Sequence, residues 1–414
     1  MRSRWSRGRA WFASWWPGAR DDDGTGGDGG VDVVLAAAVV ALVGFGVVMV
    51  YSASAFEAAV RFGDAQYYLK RQAVYAVAAL FTMGLASRFD YRSLRPMTYP
   101  LLLVVVLMLG ATIAGLGHRA GNAYRWLAVG PIHIQPSEAA KVVLVLWLAY
   151  SLAKKREDQV KSFWVGFVPH MLMVGFLMVL CLQQPDFGSA VVLFLLTLTL
   201  LFIAGVKTPH IIVSTMLFAV AGAAAIRLSA YRYARFLSWM NLAEHRQGIA
   251  YQPFQSVMSF GSGGVFGLGL GRGLQVLYLP EAHTDFIAAI VGEELGFVGV
   301  LVMVGLYVVV VARGVKIALD APDDYGAYIA FGLSTLLAMQ VLLNLSVAMA
   351  ILPTKGLTLP FISYGGSSLL VSAGAMGILL NISRHRRRRR VDAGGAHPAR
   401  SRASAPATEA VATA

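Results

Sequence analysis

The sequence predicts an all-α polytopic membrane protein: ten transmembrane helices, with a long outer loop between the seventh and the eighth. Three observations carry that expectation. Hydrophobic residues make up 57% of the 414 and charged residues only 14%, against about a quarter charged in an ordinary soluble domain. The charge is crowded into the ends, where residues 1–30 and 384–414 hold 13 of the 35 Lys and Arg and 6 of the 22 Asp and Glu. Between the ends, apolar runs approaching the ~20 residues that cross a bilayer as helix recur one after another. The single cysteine, Cys181, excludes an intrachain disulfide and a Cys-rich metal site. A formal net charge of +13 would suit a nucleic-acid partner. However, Arg384 and Arg386–Arg390 directly follow an apolar segment, where they read as a cytoplasmic anchor on anionic lipid, with no nucleic acid involved.

Taken in order, residues 1–30 form a tail in which Arg2, Arg4, Arg7 and Arg9 alternate with Trp5, Trp11, Trp15 and Trp16 before a Gly-rich linker from Asp21 to Gly30. No apolar stretch with a small-residue cleavage site follows closely, so this is not a signal peptide. The membrane domain, 31–383, holds ten apolar segments at about 31–52, 72–87, 97–117, 138–153, 163–182, 187–206, 208–228, 284–312, 326–350 and 366–383. Residues 384–414 are Arg-rich and then disordered in composition. Ten spans put both termini on one side, and the Arg run places that side in the cytoplasm. The loops alone do not decide orientation, because the inner ones carry ten Lys and Arg and the outer ones eleven. Arg227, Arg232, Arg235, Arg246 and Arg272 lie in one outer loop, with Arg125 and Lys355 in two others. They are either ordinary solvated charge or the lining for an anionic ligand. That outer loop, about 229–283, is too long for a connector. Its stretch 261–273 has seven glycines but matches neither nucleotide-loop pattern. Such a stretch suits close backbone approach, or a return into the membrane plane under protein cover.

Four outer motifs carry the candidate chemistry. Gln135-Pro136-Ser137-Glu138 and Gln184-Pro185-Asp186 each open a helix, where Pro and an acid suit the first turn for purely structural reasons. Lys141 lies one turn beyond Glu138 at membrane depth, and an i,i+3 pair between them is the economical expectation. The third motif, Leu279-Pro280-Glu281-Ala282-His283-Thr284-Asp285, sets His283 and Asp285 at the outer mouth of the eighth segment. Glu293 and Glu294 follow ~12 Å deeper by helical rise. The fourth, Leu352-Pro353-Thr354-Lys355-Gly356 through Ser363 and Ser367, is uncharged apart from Lys355. All four fall on one face of the membrane. The eight histidines show no HExxH spacing, and no GxSxG elbow or SxxK pair stands out in the outer loops.

With Arg125-Trp126-Leu127 and the Gly261–Gly271 stretch added, these motifs resemble, in order and over about 31–383, the SEDS family of ten-span peptidoglycan polymerases. The wording around Glu281–Asp285 and Pro353–Gly356 is most similar to its cell-division branch. The chain departs from the family pattern before Arg125, so no paired-arginine role is carried over. The resemblance implies a glycan-strand polymerase that transfers lipid II disaccharide-pentapeptide units from polyprenyl pyrophosphate at the outer face of the cytoplasmic membrane, at the division septum, with lipid II and polyprenyl-pyrophosphate-linked glycan as the molecules bound. It implies Asp285 as catalytic base. It makes Arg125, Trp126, Glu138, Lys141, Asp186, Arg272, His283, Lys355, Ser363 and Ser367 candidates for binding substrate. A divalent cation, Mg or Mn, could assist, with no nucleotide or organic cofactor. The implied partners are a class B penicillin-binding protein and other division membrane proteins. A lipid II flippase and a non-catalytic division scaffold are the rival readings.

Overall fold

The computed structural model describes residues 30–120, 123–129 and 132–385. The N-terminal arm through residue 29, the Arg386–Arg390 run and the tail after it lie outside these residues. Each of the ten expected segments coincides with a helix: α1 (Val33–Phe62), α2 (Tyr67–Ala86), α3 (Leu94–Ala111), α4 (Pro136–Lys154), α6 (Val168–Gln183), α7 (Phe187–Ala204), α8 (Thr208–Arg227), α11 (Ile287–Asp320), α12 (Asp324–Ala348) and α13 (Gly366–Arg384). Nine of them, with their flanking turns, are long and apolar enough to cross a membrane; α2 is not among the nine. A short helix, α5 (Glu157–Lys161), joins α4 to α6.

The helix ends follow from local chemistry. Asp32 accepts from the Leu35 N–H at 3.0 Å to start α1, and Gly63 stops it in the left-handed conformation at φ 69°. Pro136 takes the first turn of α4, where its missing N–H costs nothing. Helices α4, α12 and α13 form the interior, each with 72% of its apolar window buried, while no residue of α8 is buried. Both described ends of the chain meet at one end of the bundle. Arg313 pairs with Asp32 at 2.7 Å, the Asp32 N–H donates to Ser383 Oγ at 3.1 Å, and the Tyr91 N–H donates to Asn381 Oδ1 at 2.9 Å.

Three features depart from the expectation. A three-stranded antiparallel sheet, β1 (His118–Ala120), β2 (Ala123–Val129) and β3 (Ile132–Ile134), stands between α3 and α4. The long loop between α8 and α11 carries two helices, α9 (Ala230–Met240) and α10 (Tyr251–Gly263). Finally, α11 begins only at Ile287 and is broken at Gly296, whose φ is 67°. A break frees carbonyls that must find donors at membrane depth. The Gly-rich stretch supplies them: the Leu268 N–H donates to Glu293 O at 3.0 Å and the Gly269 N–H to Glu294 O at 2.9 Å. A Cβ on Gly267 would sit 2.2 Å from Glu294 O, so only glycine permits this approach. The two acids expected to need partners brace the same stretch. Glu293 Oε1 accepts from the Leu274 and Gln275 N–H groups at 2.8 and 3.0 Å, and Ser52 donates to Glu294 Oε2 at 2.5 Å.

Candidate functional site

The four motifs come together at the end of the bundle opposite the chain termini. Ser137 donates to Asp186 Oδ2 at 2.9 Å, and the Gln135 N–H reaches Ser367 Oγ at 3.3 Å. Arg125, on β2, donates through Nε to Gln184 O at 2.9 Å and through Nη2 to Pro185 O at 2.5 Å. Ser363 donates to Thr284 O at 2.5 Å while accepting from the Leu359 N–H at 2.8 Å, and the Tyr364 N–H donates to His283 O at 2.9 Å. The 352–365 loop is thereby laid along the Leu279–Phe286 turn.

Within this frame the acids differ in kind. Asp186 is the N-cap of α7, accepting from the Ser189 N–H at 3.0 Å, which is the structural role open to it. Asp285 is not a cap. Phe286 holds the N-cap position of α11 and offers no side-chain hydrogen bond. The Asp285 carboxylate instead faces Gly356, with Oδ2 3.1 Å from where a Cβ on that glycine would stand. Burial raises its pKa from 3.8 to about 7; the charge of Glu281 pushes the same way, and Arg125 and Arg235 pull against both. Burial also lowers the Lys355 ammonium, opposed by the charge of Asp186. Glu281 is exposed at φ 59° and accepts from the Thr284 hydroxyl at 2.8 Å.

The other sequence candidates occupy distinct places. Lys141 pairs with Glu138 at 2.7 Å, both buried inside α4, and Gln340 donates to the second Glu138 oxygen at 3.3 Å. His283 is buried, 3.5 Å from Glu57 and tilted on the Tyr68 ring at 4.6 Å. Burial lowers its pKa, while Glu57 and Glu281 oppose that. Trp126 is half-buried on β2, beside Arg125. Ser363 and Ser367 use their hydroxyls within the protein. Arg272 is exposed on the Gly-rich stretch, packed on Gly269, and the basic groups felt by Asp285 are Arg125 and Arg235 instead.

In the sequence Arg235 is one of five loop arginines, Gly356 is only the last residue of the Pro353–Gly356 motif, and Asn344 belongs to no motif. Asn344 Nδ2 donates to Asp285 O at 3.0 Å and to Leu357 O at 2.5 Å. Its signal was a primary amide inside the apolar run Val341-Leu342-Leu343-Asn344-Leu345. Among the described residues no three of His, Cys, Asp and Glu assemble as a metal-ligand set. The described residues therefore build no all-protein cage there. Asp285 stands there as a lone carboxylate, which does not fit a resident cation.

Fold and site together define a polytopic helical membrane protein with a buried, uncapped carboxylate and nearby cations at the end opposite its termini. The chain belongs to the cell cycle protein family of FtsW, RodA and SpoVE, whose model matches residues 33–388. It is 44% identical over 354 residues to the probable peptidoglycan glycosyltransferase FtsW of Trichlorobacter lovleyi, covering 85% of this chain and 93% of that protein. It is 39% identical over 363 residues to the stage V sporulation protein E of Bacillus subtilis, covering 86% and 98%. A chain of a solved peptidoglycan synthase complex that coordinates polymerization and crosslinking superposes with a TM-score of 0.72 at 30% identity, covering 86% of this chain and 98% of that one.

Proposed function

We propose that this protein polymerises peptidoglycan glycan strands at the outer face of the cytoplasmic membrane, drawing disaccharide-pentapeptide units from lipid II. The observation that carries the reading is Asp285: a carboxylate outside the capping position, held against Gly356, and near enough to Arg125 and Arg235 to feel their charge. In glycosyl transfer a base removes the proton from the acceptor hydroxyl as its oxygen attacks the anomeric carbon of the donor. The polyprenyl pyrophosphate then leaves with its bonding electrons. A base of pKa near the working pH is best placed for this, and about 7 meets that condition. Arg125, Arg235 and Lys355 supply positive charge for the departing pyrophosphate. A single displacement of this kind inverts the anomeric centre. A divalent cation carried on the substrate's own phosphates would add further neutralisation of the leaving group without engaging Asp285.

The higher identity to the FtsW relative supports a role at the division septum. Termini in the cytoplasm and anionic lipid at the Arg run follow from the basic tail. The relative solved within a synthase complex supports a crosslinking partner, of the class B penicillin-binding type, alongside other division membrane proteins. The broken helix α11 is also a feature of transporters, so the deciding experiment must separate polymerisation from flipping. Purified protein in detergent, supplied with lipid II, should extend glycan with no membrane to cross. Failure there, with lipid II translocation in vesicles, would overturn the reading.

A further inference from the structure

Asn344 lies in an apolar stretch of α12 and is 1% exposed. A buried primary amide is costly unless its hydrogens are used. Here both are used, and both acceptors are main-chain carbonyls: Asp285 O at 3.0 Å and Leu357 O at 2.5 Å. That fixes the amide orientation, because the reverse placement would set oxygen against two carbonyl oxygens. The side-chain oxygen has no hydrogen-bond partner among the described residues. A leucine of similar volume would avoid that unpaired acceptor, so the donors are what distinguishes this residue from its apolar neighbours.

The two carbonyls belong to the turn that carries Asp285 and to the loop that carries Gly356. One side chain thus sets the distance between the carboxylate and the glycine backbone that closes one side of it. Ser363 ties the same two segments at Thr284, one residue before Asp285. Resting on the polymerase reading above, we propose that Asn344 is a positioning residue for the catalytic base: it clamps the Asp285 main chain to the Leu357 carbonyl, so that the carboxylate stays shielded by Gly356. Asn344 does not touch substrate in this assignment. The charged groups around Asp285 are Glu281 from its own turn, Arg125 from β2 and Arg235 from α9, with Lys355 next to Gly356 on the loop. Losing the clamp alters none of these charges. It lets water reach the carboxylate, which moves the pKa of a buried acid back toward its ordinary value.

The test uses full-length protein in detergent with lipid II, comparing wild type with Asn344→Leu and the isosteric Asn344→Asp, each checked by its melting curve. Asn344→Leu should lower kcat by about 10- to 100-fold, the scale of a misplaced reacting group, with KM within about 3-fold. The rising limb of its pH–rate profile should move to lower pH, because a better-hydrated base ionises earlier. Asn344→Asp, which keeps one donor at most, should also lower kcat at constant KM, and it carries the test alone if the leucine variant misfolds. Wild-type kcat in either folded variant, a loss carried by KM, or an unmoved pH limb in folded Asn344→Leu would reduce the residue to a packing brace. Asp285→Asn run in parallel separates the two levels. If it still polymerises, the reading of the base fails; if it is inactive while the Asn344 variants are normal, only this inference fails.

Discussion

Replacing Asp285 by Asn should abolish catalysis and, above neutral pH, make the protein harder to unfold. The two effects have separate causes. As general base, the carboxylate contributes on the order of 10²–10⁴-fold to rate, all of which a neutral amide forfeits. For stability, the folded-state pKa is raised from 3.8 to about 7. A raised acid leaves stability intact below its unfolded pKa and reduces it progressively as pH rises toward the folded value. Three pH units correspond to at most about 4 kcal/mol, less whatever solvent reaches the largely buried carboxyl. Asparagine carries no such penalty, and since Phe286 and not Asp285 stands at the N-cap, no capping bond is lost with the charge. The variant should therefore melt above wild type at pH 8 and level with it near pH 4. It should retain lipid II binding and form no glycan on gels. Polymerisation near the wild-type rate, or melting below wild type at pH 8, would refute the argument.

Three further outcomes follow from the geometry. The wild-type rate should rise with pH and level off above about 7, because the base must be ionised; a rate already flat from pH 5 would remove Asp285 from that role. Glu138→Gln or Lys141→Met alone leaves one buried charge unpaired and should cost about 3–5 kcal/mol, whereas Glu138→Leu with Lys141→Met should recover most of it in thermal melts; equal loss in single and double variants would show the pair is not the source. In a Cys181-free background, impermeant thiol reagent on intact cells should label a cysteine at 240 or 352 and miss one at 155 or 388; the reverse pattern would invert the topology.

Much of the fold was legible because a bilayer imposes a length and an apolarity on each spanning helix that hydropathy reads directly. The Glu138–Lys141 pair was legible for a similar reason: three residues on one helix fix a neighbour wherever the helix packs. The small sheet was missed because strands of three and seven residues leave a weak periodic signal, with only the turn-prone pairs Gly121-Asn122 and Gly130-Pro131 to mark it. The break at Gly296 escaped because an isolated glycine in a helical run is also compatible with an unbroken helix, and Glu293 and Glu294 just before it mark a need for partners and not a break. Only the facing Gly-rich stretch, residues 264–269, makes the break tolerable. Asn344 and Arg235 depend on contacts across 59 and 50 positions, which no local spacing encodes.

The two Pro-acid motifs show where local reasoning reaches its limit. Gln184-Pro185-Asp186 and Pro280–Asp285 both place an acid after a proline at a helix start, and a helix dipole favours an acid in either place. Asp186 directly precedes Phe187, the first residue of α7, so its carboxylate meets the Ser189 N–H and is consumed as a cap. Asp285 stands one residue further out, because α11 begins at Ile287 and Phe286 takes the cap position. One residue of register separates a carboxylate bound to its own helix from one turned toward Gly356. That register is set by bonds from outside the turn, from Asn344 of α12 to Asp285 O and from Ser363 of the 352–365 loop to Thr284 O. The chemistry available to Asp285 is thus decided by the residues that prevent it from capping.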